Sequence, residues 1–168
     1  FVFVEKCEQR GIQFIGPSST AMKQLGDKIA SKYLAESCNV PMGKWAEITS
    51  EMSTEMIQQE AERIGFPLMV KASAGGGGRG IRKVKKVEDL IPLVETVRDE
   101  VAKVFGQGGL FMEACIVEAR HIEVQVAADS QGNAYAIGVR DCSIQRKNQK
   151  IIEETPSPIL PLDIEESL

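Results

Sequence analysis

The sequence predicts an α+β protein in which helices and short strands interleave. Three observations carry that prediction. Apolar residues recur at helical spacing in several segments, most clearly over residues 53–64 and 87–105. Short apolar runs at 67–72 and 110–113, and the strictly alternating segment 121–127, read as strands. A turn over 129–133 joins the alternating segment to a second strand at 134–139, which makes a hairpin rather than a repeated strand–helix–strand unit.

The elements follow in order. Residues 4–9 close a helix that Gly11 stops, and residues 12–15 read as a short strand ending at the turn Gly16-Pro17. Ser18 or Ser19 caps a helix running to Leu25, Gly26 breaks it, and Asp27 caps a helix over 28–37 that ends before Val40-Pro41. Ser53 caps the next helix, whose stripe is Met56, Ile57, Ala61 and Ile64, and Gly65 terminates it. The strand at 67–72 ends on a charge, a glycine-rich loop fills 73–80, and a strand returns over 81–85. The longest helix, 87–105, carries Leu90, Leu93, Val94, Val97, Val101 and Val104 on one face, with Pro92 within its first turns. After the strand at 110–113, the alternation of 121–127 is expected to bury one face and leave the other polar. A further strand begins at 149–152. The chain opens on Phe1-Val2-Phe3-Val4 without an initiator Met and closes on a fresh helical pattern after Pro161, so it is expected to be a piece excised from a longer protein.

Composition narrows the function. With 168 residues, 43% hydrophobic and 26% charged, the chain has room for one modest domain, or one and part of another. No apolar run approaches the ~20 residues of a membrane span, and no secretory signal opens the chain. Twenty basic against 24 acidic residues give a net charge of -4, which disfavours general nucleic-acid binding. Cys7, Cys38, Cys115 and Cys142 are far apart and share the chain with one His, so neither a zinc site nor a disulfide framework is expected. Four free thiols suit a reducing, cytoplasmic setting.

Four stretches could carry chemistry. The strongest is Lys71-Ala72-Ser73-Ala74-Gly75-Gly76-Gly77-Gly78-Arg79-Gly80. Successive glycines cost folding entropy, but they let bare N–H groups approach an anion closely. On the residues alone this is a phosphate-binding loop or a plain hairpin tip; it fits neither the Walker pattern nor a dinucleotide fingerprint. The stretch from Arg140 to Lys150 gathers four cations and several amides, which suits an anionic ligand or a solvated basic turn. His121, Glu123 and Gln125 share one strand face, an ordinary pattern for an exposed sheet surface. Lys28 follows the capping Asp27 and is by itself an unremarked surface cation.

Taken together, these stretches resemble the biotin carboxylase component of biotin-dependent carboxylases, within the ATP-grasp family. The resemblance is carried by Phe14-Ile15-Gly16-Pro17, Leu25-Gly26-Asp27-Lys28, Val70-Lys71-Ala72-Ser73 with the glycine loop, the stretch from Arg120 to Val126, and Arg140-Asp141-Cys142-Ser143 onward to Glu154. It covers nearly the whole chain. The strand Gly80-Ile81-Arg82-Lys83-Val84 looks most like acetyl-CoA carboxylase relatives, and so like enzymes of fatty acid biosynthesis.

The resemblance implies an α+β ATP-grasp fold: residues 1–42 finish the N-terminal subdomain and its linking helix, 43–112 form the lid, and 113–168 begin the C-terminal subdomain. It implies a ligase that uses ATP and bicarbonate to carboxylate N1 of carrier-bound biotin. Lys28 and Lys71 would contact the ATP phosphates, with Gly75, Gly76, Gly77 and Gly78 in the loop above them. Glu113, Ala114, Cys115 and Ile116 would receive adenine, partly through backbone groups. His121, Gln145 and Asn148 would face the nucleotide, and Lys150 would hold bicarbonate. Mg2+ ligands and the remaining catalytic residues would come later than Leu168, so the chain alone is expected to be inactive. The expected partners are a biotin carboxyl carrier domain or protein, a carboxyltransferase and a second copy in a homodimer, with no nucleic acid and no membrane. A carbamoyl-phosphate-synthetase-like ligase and a non-catalytic nucleotide-binding module are the rival readings. Asn148 stands where many relatives have His, and also occurs in urea-carboxylase-like relatives, so the acceptor of the carboxyl group stays open between acyl-CoA, pyruvate and urea.

Overall fold

A computed structural model describes residues 1–73, 80–105, 108–146 and 149–168. The chain divides into two compact units, Phe1–Cys115 and Ile116–Leu168.

The first unit opens with three helices: α1 (Val2–Gln9), α2 (Ser19–Gly26) and α3 (Lys28–Ser37). The starts of α2 and α3 are set by short polar side chains that accept from otherwise unpaired N–H groups. Ser18 Oγ accepts from Ala21 N, and Asp27 Oδ1 accepts from Ile29 N and Ala30 N at 2.9 and 2.8 Å. The strand expected at 12–15 is absent: that segment pairs with no strand, and Ile15 is 97% exposed. An apolar run this short becomes a strand only where a neighbouring edge is offered.

Strand β1 (Trp45–Ile48), which the sequence reading missed, helix α4 (Thr54–Ile64) and strands β2 (Leu68–Ala72) and β3 (Ile81–Val84) follow. Ser53 caps α4 and Gly65 ends it, as expected. A 3-10 turn (Val87–Asp89) leads into α5 (Leu90–Phe105), and β4 (Leu110–Ala114) completes the sheet. Pro92 is accommodated because it lies in the first turn of α5, where N–H groups have no partner within the helix.

The four strands lie in the order β1-β4-β2-β3, all antiparallel. Leu110 and Met112 of β4 share a face with Ile48, Leu68, Val70 and Val84, and helices α4 and α5 cover it with Ile57, Ala61, Ile64, Leu90, Val94, Val97 and Val101. Phe111 and Glu113 point to the opposite face, where Ile29 of α3 packs with Trp45 and Phe111. Gly109 permits that approach: a Cβ there would lie 2.7 Å from Ile29 Cδ1. Gly80, at a φ of +67°, closes the β2–β3 connection by accepting from Ala72 N at 2.9 Å.

The second unit is a three-stranded antiparallel sheet, β5 (Ile122–Ala128), β6 (Ala134–Arg146) and β7 (Gln149–Glu154), followed by α6 (Leu162–Ser167). Strand β6 runs seven residues past the expected end at Val139, so the basic stretch from Arg140 is mostly strand rather than turn. The expected burial of one β5 face is met only near Val139 and Cys142, which are buried; Val126, Tyr135 and Ile137 are exposed. Alternation specifies two faces, but burial needs a second layer, and the described residues of this unit lay none over that end.

Candidate functional site

In the first unit the site is built where α3 crosses the sheet. Asp27 fixes the start of α3, and the four-residue spacing puts Lys28 and Lys32 on one helical face. Lys28 Nζ donates to the carbonyl of Ser73 at 3.3 Å, at the edge of the glycine-rich loop. Ser73 N in turn donates to Gly109 O at 2.8 Å. Lys71 and Glu113 are diagonal neighbours on the α3 face, because Met69 is the residue directly opposite Glu113. The Glu113 carboxylate takes an ion pair from each side: Lys71 Nζ meets Oε1, and Lys32 Nζ meets Oε2 at 2.6 Å. Burial alone would raise the Glu113 pKa, but the two ammonium groups outweigh it and hold the carboxyl below its ordinary range. Lys32 Nζ also stands 5.4 Å from the ring centres of both Trp45 and Phe111.

The strip after Glu113 is tied down by its backbone. Ala114 N donates to Lys44 O at 2.9 Å and Cys115 N to Pro67 O at 3.1 Å, so these two donors are spent within the fold. Ile116 is exposed. At the other end of β4, an open hollow of about 780 Å³ is bordered by Asp27, Ser73, Gly109 and Arg98.

In the second unit a charged cluster covers one face of the hairpin. Arg140 on β6 stands opposite Glu123 on β5, and its guanidinium bridges Glu123 Oε2 at 2.7 Å and Glu153 Oε2 at 2.6 Å. Lys150 Nζ pairs with Glu123 Oε1. His121 Nε2 lies 3.0 Å from the same oxygen, and its Nδ1 lies 2.8 Å from Gln145 Nε2. The amide of Gln145 also donates to Cys142 O at 2.9 Å. With both amide hydrogens so used, Nδ1 accepts and Nε2 donates to Glu123. The ammonium of Lys150 is the chief cause that lowers the Glu123 pKa to about 2, against the burial that opposes it. The same contact raises the Lys150 pKa. Burial pushes the Cys142 thiol up, with help from the Glu123 charge. A hollow of about 390 Å³ opens beside Arg120, His121, Ser143 and Gln145.

The structure therefore groups Lys71 with Glu113, sets Lys28 at the edge of the glycine loop, and groups His121, Gln145 and Lys150. Gly75, Gly76, Gly77, Gly78 and Asn148 lie outside the described residues. Sequence reasoning missed Lys32, the four-residue spacing from Lys28 being its only signal. It set Glu123 on an ordinary exposed strand face and Arg140 in a basic stretch without pairing them, because their meeting depends on cross-strand register.

Residues 27–168 match the family of the carbamoyl-phosphate synthase L chain, ATP-binding domain. Biotin carboxylase 2, chloroplastic, of Populus trichocarpa is 42% identical over 99% of this chain and 32% of its own length. Urea amidolyase of Saccharomyces cerevisiae is 43% identical over 95% of this chain and 9% of its own length. The biotin carboxylase domain of Hydrogenobacter thermophilus 2-oxoglutarate carboxylase, solved as a dimer with MgADP, ADP and bicarbonate, superposes with a TM-score of 0.88 at 41% identity, covering 99% of this chain and 36% of that one. The chain thus spans about a third of the length of the biotin carboxylases it matches. It belongs to the carbamoyl-phosphate synthase L chain ATP-binding domain family, and its fold is the ATP-grasp fold of biotin carboxylase domains.

Proposed function

We propose that the protein carrying this chain is a biotin carboxylase, which spends ATP to activate bicarbonate as carboxyphosphate and carboxylates N1 of carrier-bound biotin. One observation carries the reading: Lys150 is held by Glu123 within a cluster that also takes in His121 and Gln145, in a chain whose fold matches a biotin carboxylase domain solved with nucleotide and bicarbonate. Lys71 and Lys28 supply positive charge to the nucleotide phosphates, where charge builds during phosphoryl transfer. The glycine run offers backbone donors to the same anion. Glu113, Ala114, Cys115 and Ile116 form the adenine strip, with Ala114 and Cys115 contributing through groups other than their engaged N–H. His121, Gln145 and Asn148 face the nucleotide, and Lys150 supplies the cation for bicarbonate.

Magnesium, when bound, neutralises phosphate charge. Among the described residues no group of three or more His, Cys, Asp or Glu could hold a metal ion. We assign residues 1–42, 43–112 and 113–168 to the end of the N-terminal subdomain, the lid and the start of the C-terminal subdomain. The proposal includes a biotin carrier, a carboxyltransferase and a homodimer as partners, and a cytoplasmic location, although similar proteins are named as chloroplastic and mitochondrial. The 168-residue chain alone is expected not to turn over. An acyl-CoA is the first candidate for the final acceptor; urea is the second, favoured by Asn148 and by the likeness to urea amidolyases.

The test is ADP release by the full-length protein. Release that depends on bicarbonate and rises with free biotin is expected. Release indifferent to both, or driven instead by ammonia, overturns the reading.

A further inference from the structure

Lys32 has no part in the roles just assigned, yet it makes the second ion pair to Glu113. Its Nζ lies 2.6 Å from Oε2 while Lys71 holds Oε1, and all three side chains are roughly four-fifths buried or a little less. Lys32 is also fixed in place. It stands on α3 one turn after Lys28, over the rings of Trp45 and Phe111. One carboxylate therefore serves two ammonium groups, and the mobile question is how tightly it grips each.

We infer that Lys32 is a positioning residue, which by sharing the Glu113 carboxylate sets how readily Lys71 can turn to a phosphate. The inference rests on the reading of Lys71 as a phosphate ligand. The attraction between Glu113 and Lys71 is pairwise, but a second ammonium on the same carboxylate repels Lys71 and so weakens the net hold on it. Without Lys32, Glu113 would compete more strongly with ATP for Lys71. With Lys32 in place, part of the Glu113 charge is already compensated and the ammonium of Lys71 is freer to serve the nucleotide. Lys32 itself touches neither phosphate nor bicarbonate in this scheme.

The test is a double-variant cycle in the full-length protein, read as KM for ATP against kcat. Lys32→Met should raise KM for ATP about tenfold with little change in kcat. Lys32→Arg should restore most of the wild-type KM, since a guanidinium can also pair with Glu113. Lys32→Met combined with Glu113→Gln should bring KM part of the way back toward the wild-type value, because the side chain that competes for Lys71 has gone while the backbone through which residue 113 serves the adenine strip is unchanged. A purely structural role for Lys32 predicts the opposite, with the second substitution adding to the damage. An unchanged KM in Lys32→Met, or a double variant worse than the single one, overturns the inference. Lys71→Gln separates this from failure of the parent reading: if wild type binds ATP and Lys71→Gln weakens it while Lys32→Met does not, only the role of Lys32 falls.

Discussion

Lys150 on β7 reaches across the middle strand of its sheet to pair with Glu123 on β5. Arg140, on the strand between them, is paired to the same carboxylate. A single Glu thus fixes two cations from two different strands, and the Lys150 ammonium is held in a defined place on the sheet surface. Lys150→Met should therefore lower bicarbonate-dependent ATP hydrolysis by about two to three orders of magnitude in the full-length protein, while ATP affinity stays within a few-fold. Steady-state assays with bicarbonate and nucleotide varied separately check this. An equal loss in both would contradict the assignment.

The low pKa of Glu123 has a signed consequence. A carboxyl whose folded pKa is lowered stabilises the fold above its ordinary value of 4.5, and the stabilisation drains away as pH falls through about 2. Glu123→Gln should then destabilise the protein at neutral pH and lose that effect steadily below 4.5. Carbon-13 titration of the Glu123 carboxyl gives the direct reading, with a midpoint far below the ordinary one. A midpoint at 4.5 would mean that the ion pairs are not formed in solution.

With Lys71 in its proposed role as a phosphate ligand, Lys71→Gln would remove a charge-assisted contact worth about 1.5–3 kcal/mol, and KM for ATP should rise roughly ten- to hundredfold. Isothermal titration with ATP and ADP measures the loss directly, and unchanged affinity would remove Lys71 from the phosphate site.

Asp27→Ala tests the link from helix cap to site. Loss of the two N–H contacts at the start of α3 should cost about 1 kcal/mol of stability. It should also loosen Lys28, which is the first residue of that helix, and so raise KM for ATP. Asp27→Asn retains an accepting oxygen and should behave nearly as wild type in both denaturation and kinetics.

Phe111 is 1% exposed and fills the space between α3 and the sheet. Truncation to Ala should cost about 3–5 kcal/mol, read as a shift in the denaturation midpoint. It also removes one of the two rings beside Lys32, so the fluorescence of Trp45, packed edge to face on Phe111 at 6.4 Å, should change before global unfolding.

Local chemistry made much of the fold legible. Asp27, Ser53 and Gly65 mark helix ends through hydrogen bonds and backbone conformations that a few residues decide. Strand β1 was not legible, because Trp45-Ala46-Glu47-Ile48 becomes a strand through pairing with β4, more than sixty residues later. Residues 12–15 failed in the opposite sense, having the composition of a strand but no edge to join. In the site, the sequence marked Lys28, Lys71 and Lys150, and Glu113 for another role, but missed Lys32 and every ion pair among them. Glu113 meets Lys32 and Lys71, and Glu123 meets Arg140 and Lys150, only once register has set distant residues side by side.

Strand β4 divides its labour by parity. Leu110 and Met112 fill the interior under α4 and α5, while Phe111 and Glu113 between and after them serve the opposite surface. Sliding this strand by one place would drive a carboxylate into oil and push Met112 out among the ammonium groups at the same instant. The register that fills the interior with Leu110 and Met112 is consequently the same one that presents Phe111 and Glu113 to Lys32 and Lys71.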